Sequence, residues 1–138
     1  KGYYDNSFHV SSRINISPFE KLKLEALGHK YSAGGHISYI ETDSLTKNLD
    51  AIPDILRYAK SVGIHYMGIN QPVDKCHICG YKGEFTATKD GFTCPQCGNH
   101  DSNEMSVIRR VCGYLAQPNA RPFNKGKQEE IMHRVKHS

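Results

Sequence analysis

The chain has 138 residues, a formal net charge of +4, 38% hydrophobic residues and five cysteines. This length allows one or two small domains with a modest core. No run of about 18 apolar residues is present, so no transmembrane helix is expected, and the first residues lack the apolar segment of a secretory signal. The first residue is Lys1 rather than Met, and we therefore expect the chain to be part of a longer polypeptide.

The first half of the chain predicts a helix followed by a βαβ unit. The Ser-Pro-Phe-Glu segment at 17–20 is a helix start, because Ser caps the first turn and Glu follows three residues later; this helix is predicted to end at Gly28. Residues 36–41 alternate as a strand, 48–62 carry apolar residues at helical spacing, and 64–70 predict a buried strand. This order implies a parallel strand pair inside an α/β sheet or barrel, which two strands cannot complete alone.

Gly34 and Gly35 precede the first of these strands and have two interpretations. A glycine pair can cradle a phosphate, but phosphate loops usually run from a strand into a helix. This loop runs from a helix into a strand, so a turn is favoured.

Four of the five cysteines form two Cys-x-x-Cys-Gly segments, Cys76–Cys79 and Cys94–Cys97. Between them, 84–88 and 92–93 predict a hairpin around the turn Lys-Asp-Gly at 89–91. Two such segments brought together give a tetrahedral site of four sulfurs, which suits a structural Zn²⁺ with no open coordination position. Cysteine pairs with this spacing are more typical of a metal site in a reducing compartment than of disulfides.

Other interpretations of the cysteine segments stay open. The metal could be iron in a rubredoxin-like centre, or the cysteines could form two disulfides. His77 could compete as a ligand, although a solvated surface position is favoured when four cysteines are available. Zinc ribbons also bind nucleic acid or protein, but the three lysines of this ribbon are interspersed with four acidic residues, and nucleic-acid readers usually have a clearer basic face.

The segment Arg-Val-Cys-Gly-Tyr at 110–114 contains the remaining cysteine and a glycine with distinctive chemistry. Loss of a Cα hydrogen from Gly113 would leave an unpaired electron delocalised between an amide nitrogen and a carbonyl, and the missing Cβ would let another protein approach the backbone. The alternative is an ordinary turn glycine. Cys112 could transfer a hydrogen atom beside such a centre. The favoured alternative is that different residues are accepted at this position and Cys112 has no required role.

The final residues, 124–137, predict a polar helix with Ile131 and Val135 on one side. Its basic residues are predicted to form a solvated face, with a phosphate or partner contact as the alternative; they are Lys125, Lys127, His133, Arg134, Lys136 and His137.

The order of these features resembles the C-terminal part of the large subunit of class III, anaerobic ribonucleoside-triphosphate reductases, which are glycyl radical enzymes. The resemblance rests on a βαβ unit, a four-cysteine ribbon, the Arg-Val-Cys-Gly-Tyr segment and the stretch Arg-Pro-Phe-Asn-Lys-Gly-Lys-Gln-Glu-Glu at 121–130. It covers essentially the whole chain and suggests a bacteriophage member. The corresponding division is 1–73 for the end of the barrel domain, 74–103 for the zinc ribbon and 104–138 for the radical loop and C-terminal helix.

The resemblance implies an α/β fold: the terminal portion of a ten-stranded α/β barrel, with the glycyl radical loop inserted into it. It implies a radical on Gly113, generated by an activating enzyme that uses a [4Fe-4S] cluster and S-adenosylmethionine. It further implies a cysteine that becomes a thiyl radical, ribonucleoside triphosphates as substrates, formate as reductant, allosteric regulation, a homodimer and a cytoplasmic location. Neither the thiyl cysteine nor the allosteric parts are recognisable here, so the chain alone is expected to be inactive. The non-enzymatic alternatives are a zinc-ribbon binding module or a free-standing replacement for a damaged radical loop.

Overall fold

The structure is a computed structural model that describes residues 8–43, 45, 48–111, 114–117 and 122–137. It divides into two compact units. Of the described residues, 8–71 and 135–137 form the first, here called the helical unit, and 72–134 form the second, here called the cysteine unit. Within these ranges we find no helix with the length and apolar character needed to cross a membrane.

The helical unit begins with helix α1, Pro18–His29, at the predicted position. Ser17 accepts a hydrogen bond from the backbone N–H of Glu20, and the Glu20 carboxylate accepts from the backbone N–H of Ser17. This reciprocal capping satisfies N–H groups that have no partner within the helix. The predicted start of α1 is therefore confirmed, while its end lies one residue beyond Gly28.

The buried face of α1 is largely polar. Lys21, Glu25 and His29 are buried together with Leu22, whereas Leu24 and Leu27 are exposed. Lys21 and Glu25 form an ion pair one helical turn apart, and this pairing reduces the cost of removing both charges from water.

Strand β1 (Ser38–Glu41), helix α2 (Ala51–Val62) and strand β2 (Met67–Asn70) follow. The two strands are parallel, with Ile40 opposite Ile69, so the predicted βαβ unit is confirmed; α2 starts three residues later than predicted, and both strands are shorter. Helix α2 ends at Gly63, whose φ of +85° suits a residue without a Cβ. The core of this unit consists of Leu22, Ile40, Ile55 and Ala59.

The last described residues, 135–137, belong to the helical unit and are not helical. The N–H of Val135 donates to the carbonyl of Ser12 (2.8 Å), and the N–H of His137 donates to the carbonyl of Glu41 (2.9 Å). The His137 ring is buried and accepts from the N–H of Glu41 through Nδ1 (2.8 Å). The predicted helix to His137 and the solvated position of this residue are therefore wrong, because the chain forms backbone hydrogen bonds beside β1 instead of continuing a helix.

The cysteine unit is built from short strands. Its elements are β3 (Asp74–Cys76), β4 (Lys82–Gly83), β5 (Thr86–Thr88), β6 (Gly91–Thr93), a 3-10 helix (Ser102–Glu104), β7 (Met105–Ser106), β8 (Arg109–Val111), β9 (Tyr114–Ala116) and α3 (Lys125–His133). Strand β3 lies between β4 and β7 in an antiparallel sheet, and the pairs β5–β6 and β8–β9 form two antiparallel hairpins. Helix α3 contacts β5 and β8.

The predicted hairpin between the cysteine segments is present with a shorter turn. Thr88 pairs with Gly91, so the turn consists of Lys89 and Asp90, and the glycine lies in the strand with φ of +141°. The unit has its own small core, made of Cys76, Phe85, Cys94, Met105 and Val107.

Candidate metal centre and glycine hairpin

Two tight turns bring four cysteine sulfurs together. The N–H of Gly80 donates to the carbonyl of Cys76 (3.1 Å), and the N–H of Gly98 donates to that of Cys94 (2.9 Å). Both glycines have positive φ, +76° and +72°, a conformation that side chains with a Cβ rarely adopt. The four sulfurs all lie within 4.8 Å of one another; they belong to Cys76, Cys79, Cys94 and Cys97.

The separations between sulfurs fit a tetrahedral metal ion. The distance from Cys76 Sγ to Cys97 Sγ is 3.7 Å, and that from Cys79 Sγ to Cys94 Sγ is 3.6 Å. A zinc ion about 2.3 Å from each of four sulfurs requires separations of about 3.8 Å, whereas a disulfide requires about 2.05 Å. The arrangement therefore fits a four-thiolate metal site and not two disulfides, and it is consistent with zinc.

The thiols of this group are electrostatically unequal. Backbone N–H groups of Cys79 and Ile78 and the amide of Asn99 stabilise the thiolate of Cys76, outweigh burial and lower its pKa to about 6. The N–H of Tyr81 acts in the same direction on Cys79, but burial and three neighbouring cysteines together raise the pKa of that thiol to about 12. Four thiolates at these distances repel one another, and a divalent cation among them would remove this cost.

Asn99 is a supporting residue that the sequence analysis did not identify. Its side-chain Nδ2 lies 3.6 Å from Cys76 Sγ and donates to the backbone carbonyl of Glu104 (3.1 Å). The backbone carbonyl of Asn99 accepts from the N–H of Cys94 (2.8 Å). One residue thus contacts both cysteine turns. The only available signal was an amide side chain two residues after Cys97, which is weak because such residues are common in turns.

His77 does not belong to the group of four sulfurs. Its ring is exposed, and Nε2 lies 3.0 Å from Ser106 Oγ. Within the described part of the chain, the four cysteines form the one cluster with metal-ligand geometry. This placement agrees with the surface position that the sequence favoured for His77.

A buried ion pair joins β3, the strand that carries Cys76, to β8. The guanidinium of Arg109, in β8, binds both carboxylate oxygens of Asp74, in β3; the Nη2–Oδ2 distance is 2.6 Å. Asp74 is fully buried and Arg109 is 5% exposed. This pair is not evident from the sequence, because 34 intervening residues (75–108) separate its members along the chain.

The predicted radical position follows β8. Strands β8 and β9 are antiparallel, with Val111 paired to Tyr114. Cys112 and Gly113 stand between these two residues in the sequence and lie outside the described residues. The role of Gly113 therefore stays a prediction, while the structure gives the bounds and the pairing of the two strands before and after it.

The chain thus has a mixed α/β fold: one unit contains a βαβ motif, and the other contains four cysteine sulfurs at distances that fit a metal ion. The family model for anaerobic ribonucleoside-triphosphate reductase matches residues 1–137. The chain belongs to this family.

Curated relatives agree with the family match. The chain is 52% identical over 137 residues to the anaerobic ribonucleoside-triphosphate reductase of Enterobacteria phage T4 and 50% identical to that of Escherichia coli strain K12. Each alignment covers 99% of this chain but only 22% and 19% of those relatives. The chain thus spans about a fifth of their length and corresponds to a fragment of the large subunit. Because the phage and bacterial identities are nearly equal, a bacteriophage source stays a prediction.

A solved structure shares the fold. An anaerobic ribonucleotide reductase superposes with a TM-score of 0.64 at 21% identity, covering 94% of this chain and 19% of that one. At this identity the similarity supports the fold alone.

Proposed function

We propose that this chain is the radical-bearing C-terminal portion of an anaerobic ribonucleotide reductase, with the radical on Gly113. The observation that carries the proposal is the family match over residues 1–137, which includes the four cysteines and the Arg-Val-Cys-Gly-Tyr segment together. The complete reductase would convert ribonucleoside triphosphates into deoxyribonucleoside triphosphates.

In this proposal Cys76, Cys79, Cys94 and Cys97 hold one structural zinc ion. Zinc joins the two cysteine turns and has no open position for substrate when four thiolates bind it. The chain's own residues supply the rest of the site: backbone N–H groups and Asn99 orient the sulfurs, and Phe85, Met105 and Val107 pack beside them. The function of this centre would be to fix the strands that lead to Gly113.

The chemistry proposed for Gly113 is hydrogen-atom transfer. An activating enzyme with a [4Fe-4S] cluster and S-adenosylmethionine takes one hydrogen atom from the glycine Cα. The glycyl centre takes the hydrogen atom of a cysteine thiol elsewhere in the large subunit, and the resulting thiyl takes the 3′-hydrogen of the ribonucleotide. The 2′-hydroxyl takes up a proton and leaves as water, formate supplies two electrons and a proton and becomes carbon dioxide, and the cysteine thiol returns a hydrogen atom to C3′ and is again a thiyl. The protein contributes position and shielding from solvent.

The proposed partners follow from this chemistry. They are the activating enzyme, the remainder of the large subunit, which completes the barrel, and a second large subunit in a homodimer. In the proposed division, 1–73 end the barrel domain, 74–103 form the zinc ribbon and 104–138 carry the radical loop and the C-terminal segment.

Nucleotide reduction by the complete reductase tests the proposal. Gly113→Ala should abolish reduction after anaerobic activation, because alanine replaces one of the two Cα hydrogens of glycine with a methyl group, which crowds the backbone. Gly34→Ala is the matched control: Gly34 is exposed, and a Cβ there meets no atom within 4 Å. Nucleotide reduction by the Gly113→Ala enzyme would refute the proposal.

Exposure of the activated reductase to air gives a second test. Oxygen should react at the radical carbon and cleave the chain at Gly113, which separates residues 114–138 from the remainder. Mass spectrometry should detect this cleavage in the parent and in Gly34→Ala. An intact chain in the activated, oxygen-treated parent would contradict a radical at this position.

A further inference from the structure

The carboxylate of Asp74 lies where three parts of the cysteine unit meet. Asp74 is two residues before Cys76 on β3, and the backbone N–H of Phe85 donates to its Oδ2 (2.7 Å). Arg109 of β8 binds both of its oxygens. One buried side chain thus joins the strand of a metal ligand, the segment that enters the β5–β6 hairpin and the strand that leads to Gly113.

Arg109 is fixed in this position by contacts on several sides. Its Nη2 is 3.4 Å from the carbonyl of Phe85, its Nη1 donates to the carbonyl of Ile108 (3.1 Å), and its guanidinium lies 4.9 Å from the ring centre of Phe92. A planar guanidinium that binds a carboxylate with two hydrogen bonds is held in distance and in orientation. Lysine, with a single ammonium group, would keep the charge but not this orientation.

We propose that the Asp74–Arg109 pair is a positioning link that fixes the β8–β9 hairpin relative to the metal centre, so that Gly113 is presented for hydrogen transfer. Arg109 is four residues before Gly113 and Asp74 is two residues before Cys76, so the link joins the two sites by a short path. Arg109 is therefore a positioning residue and not a catalytic one. The inference rests on the proposed function of Gly113.

A buried ion pair suits this purpose better than an apolar contact would. Apolar side chains can slide against one another with little change in energy, whereas a buried charge that leaves its partner is strongly disfavoured. The hairpin would consequently return to one geometry after any movement needed for activation.

The test uses the complete reductase with its activating enzyme under anaerobic conditions. The variant Arg109→Lys keeps the charge and removes the two-point geometry. A second variant, Asp74→Leu with Arg109→Met, removes both charges and replaces them with apolar groups, which are often tolerated at buried ion pairs. Lys75→Met is the matched control: it removes a charge from an exposed position of β3, the strand that carries Asp74.

Three quantities are measured in each protein: zinc per chain, the glycyl doublet in electron paramagnetic resonance, and hydrogen exchange of residues 109–116. We expect both pair variants to retain zinc, to exchange the β8–β9 amides faster than the parent does, and to lose roughly tenfold to a hundredfold in doublet yield, as displacements of about 1 Å can cause. Lys75→Met should retain zinc and the parental doublet.

A pair variant that retains zinc and gives the parental doublet and exchange would overturn the inference. Loss of zinc from both pair variants would also overturn it, because the pair would then support the metal centre itself. Absence of a doublet in the activated parent would instead contradict the proposed function, and exchange at residues 109–116 would still test the link.

Discussion

The guanidinium of Arg134 donates from Nη1 to the backbone carbonyl of Arg110, at 2.8 Å. Its Nη2 binds Glu130 Oε1 at 2.5 Å, and the two side chains are 12% and 8% exposed. Arg134 follows directly after α3, so this contact joins the end of that helix to β8, the strand before Gly113. The solvated position predicted for Arg134 is therefore wrong, because its charge is paired within the cysteine unit.

We expect Arg134→Met to loosen β8. The variant removes the hydrogen bond to the Arg110 carbonyl and leaves the nearly buried Glu130 carboxylate without this partner, which should lower the free energy of local opening by about 1–3 kcal/mol. Hydrogen exchange of the β8 amides in the complete reductase measures this change.

The control for this variant is Arg57→Met. The pair that Arg57 forms with Asp54 on α2 is exposed, at 76% and 63%, and such pairs contribute at most about 1 kcal/mol. Its removal should leave β8 unchanged. Parental exchange of β8 in Arg134→Met would show that the Arg134 contact does not hold the strand.

Metal binding provides a separate prediction. The parent should contain one zinc per chain. Cys76→Ser or Cys94→Ser removes one of the four thiolate ligands and should lose the zinc, and with it a stabilisation of the fold on the order of 10 kcal/mol. Metal analysis of the purified proteins, together with exchange of the β5–β6 amides, measures the loss. Cys112→Ser is the matched control and should keep the metal. Full zinc content in the Cys76 and Cys94 variants would refute the four-cysteine assignment.

Patterns that depend on neighbours in sequence predicted the local features well. The capping residues Ser17 and Glu20 indicate the start of α1, and the glycine after each cysteine pair indicates a tight turn, because each feature is set by backbone geometry within a few residues. The parallel βαβ unit also followed from the order of apolar segments.

Features that depend on distant partners could not be predicted in this way. The buried face of α1 contains Lys21 and Glu25, which form a pair with each other, while Leu24 and Leu27 are exposed. The partner of Arg109 was not evident, since β3 and β8 meet only after the ribbon has folded. Periodicity cannot detect a buried charge whose partner is close only in three dimensions.

The buried pair on α1 yields a stability prediction. In Lys21→Met the buried Glu25 carboxylate, which also accepts from the N–H of Val10 (2.9 Å), loses its partner Lys21. Breaking a buried pair in this way costs about 3–5 kcal/mol, so the α1 amides should exchange much faster in the complete protein. Lys23→Met, at an exposed position of the same helix, should change exchange little. Equal exchange in the two variants would contradict the buried pair.

His29 yields a prediction about pH. Burial, followed by the charges of His36 and His65, lowers the pKa of His29 below its ordinary value of 6.5, against an opposing effect of Glu25. Nδ1 accepts from the N–H of His65 (3.3 Å), so the neutral ring carries its proton on Nε2, 3.0 Å from Ser38 Oγ.

Since the unfolded chain binds this proton more readily, the stabilising contribution of neutral His29 is complete above the ordinary pKa and is lost as the pH falls through the lower folded value. The parent should therefore lose α1 protection as the pH falls below the ordinary histidine pKa of 6.5. His29→Gln should reduce this dependence, and His133→Gln, at an exposed position, should not. A parental pH profile in His29→Gln would contradict the assignment.

The radical on Gly113 is tested most directly by electron paramagnetic resonance of the complete reductase after anaerobic activation. The parent should give a doublet, because the unpaired electron couples to the one hydrogen that remains on the glycine Cα, and glycine deuterated at Cα should collapse it to a single line. Gly113→Ala should give no such doublet, while Gly34→Ala should give the parental signal. A doublet that persists unchanged in Gly113→Ala would place the radical elsewhere and contradict the central claim.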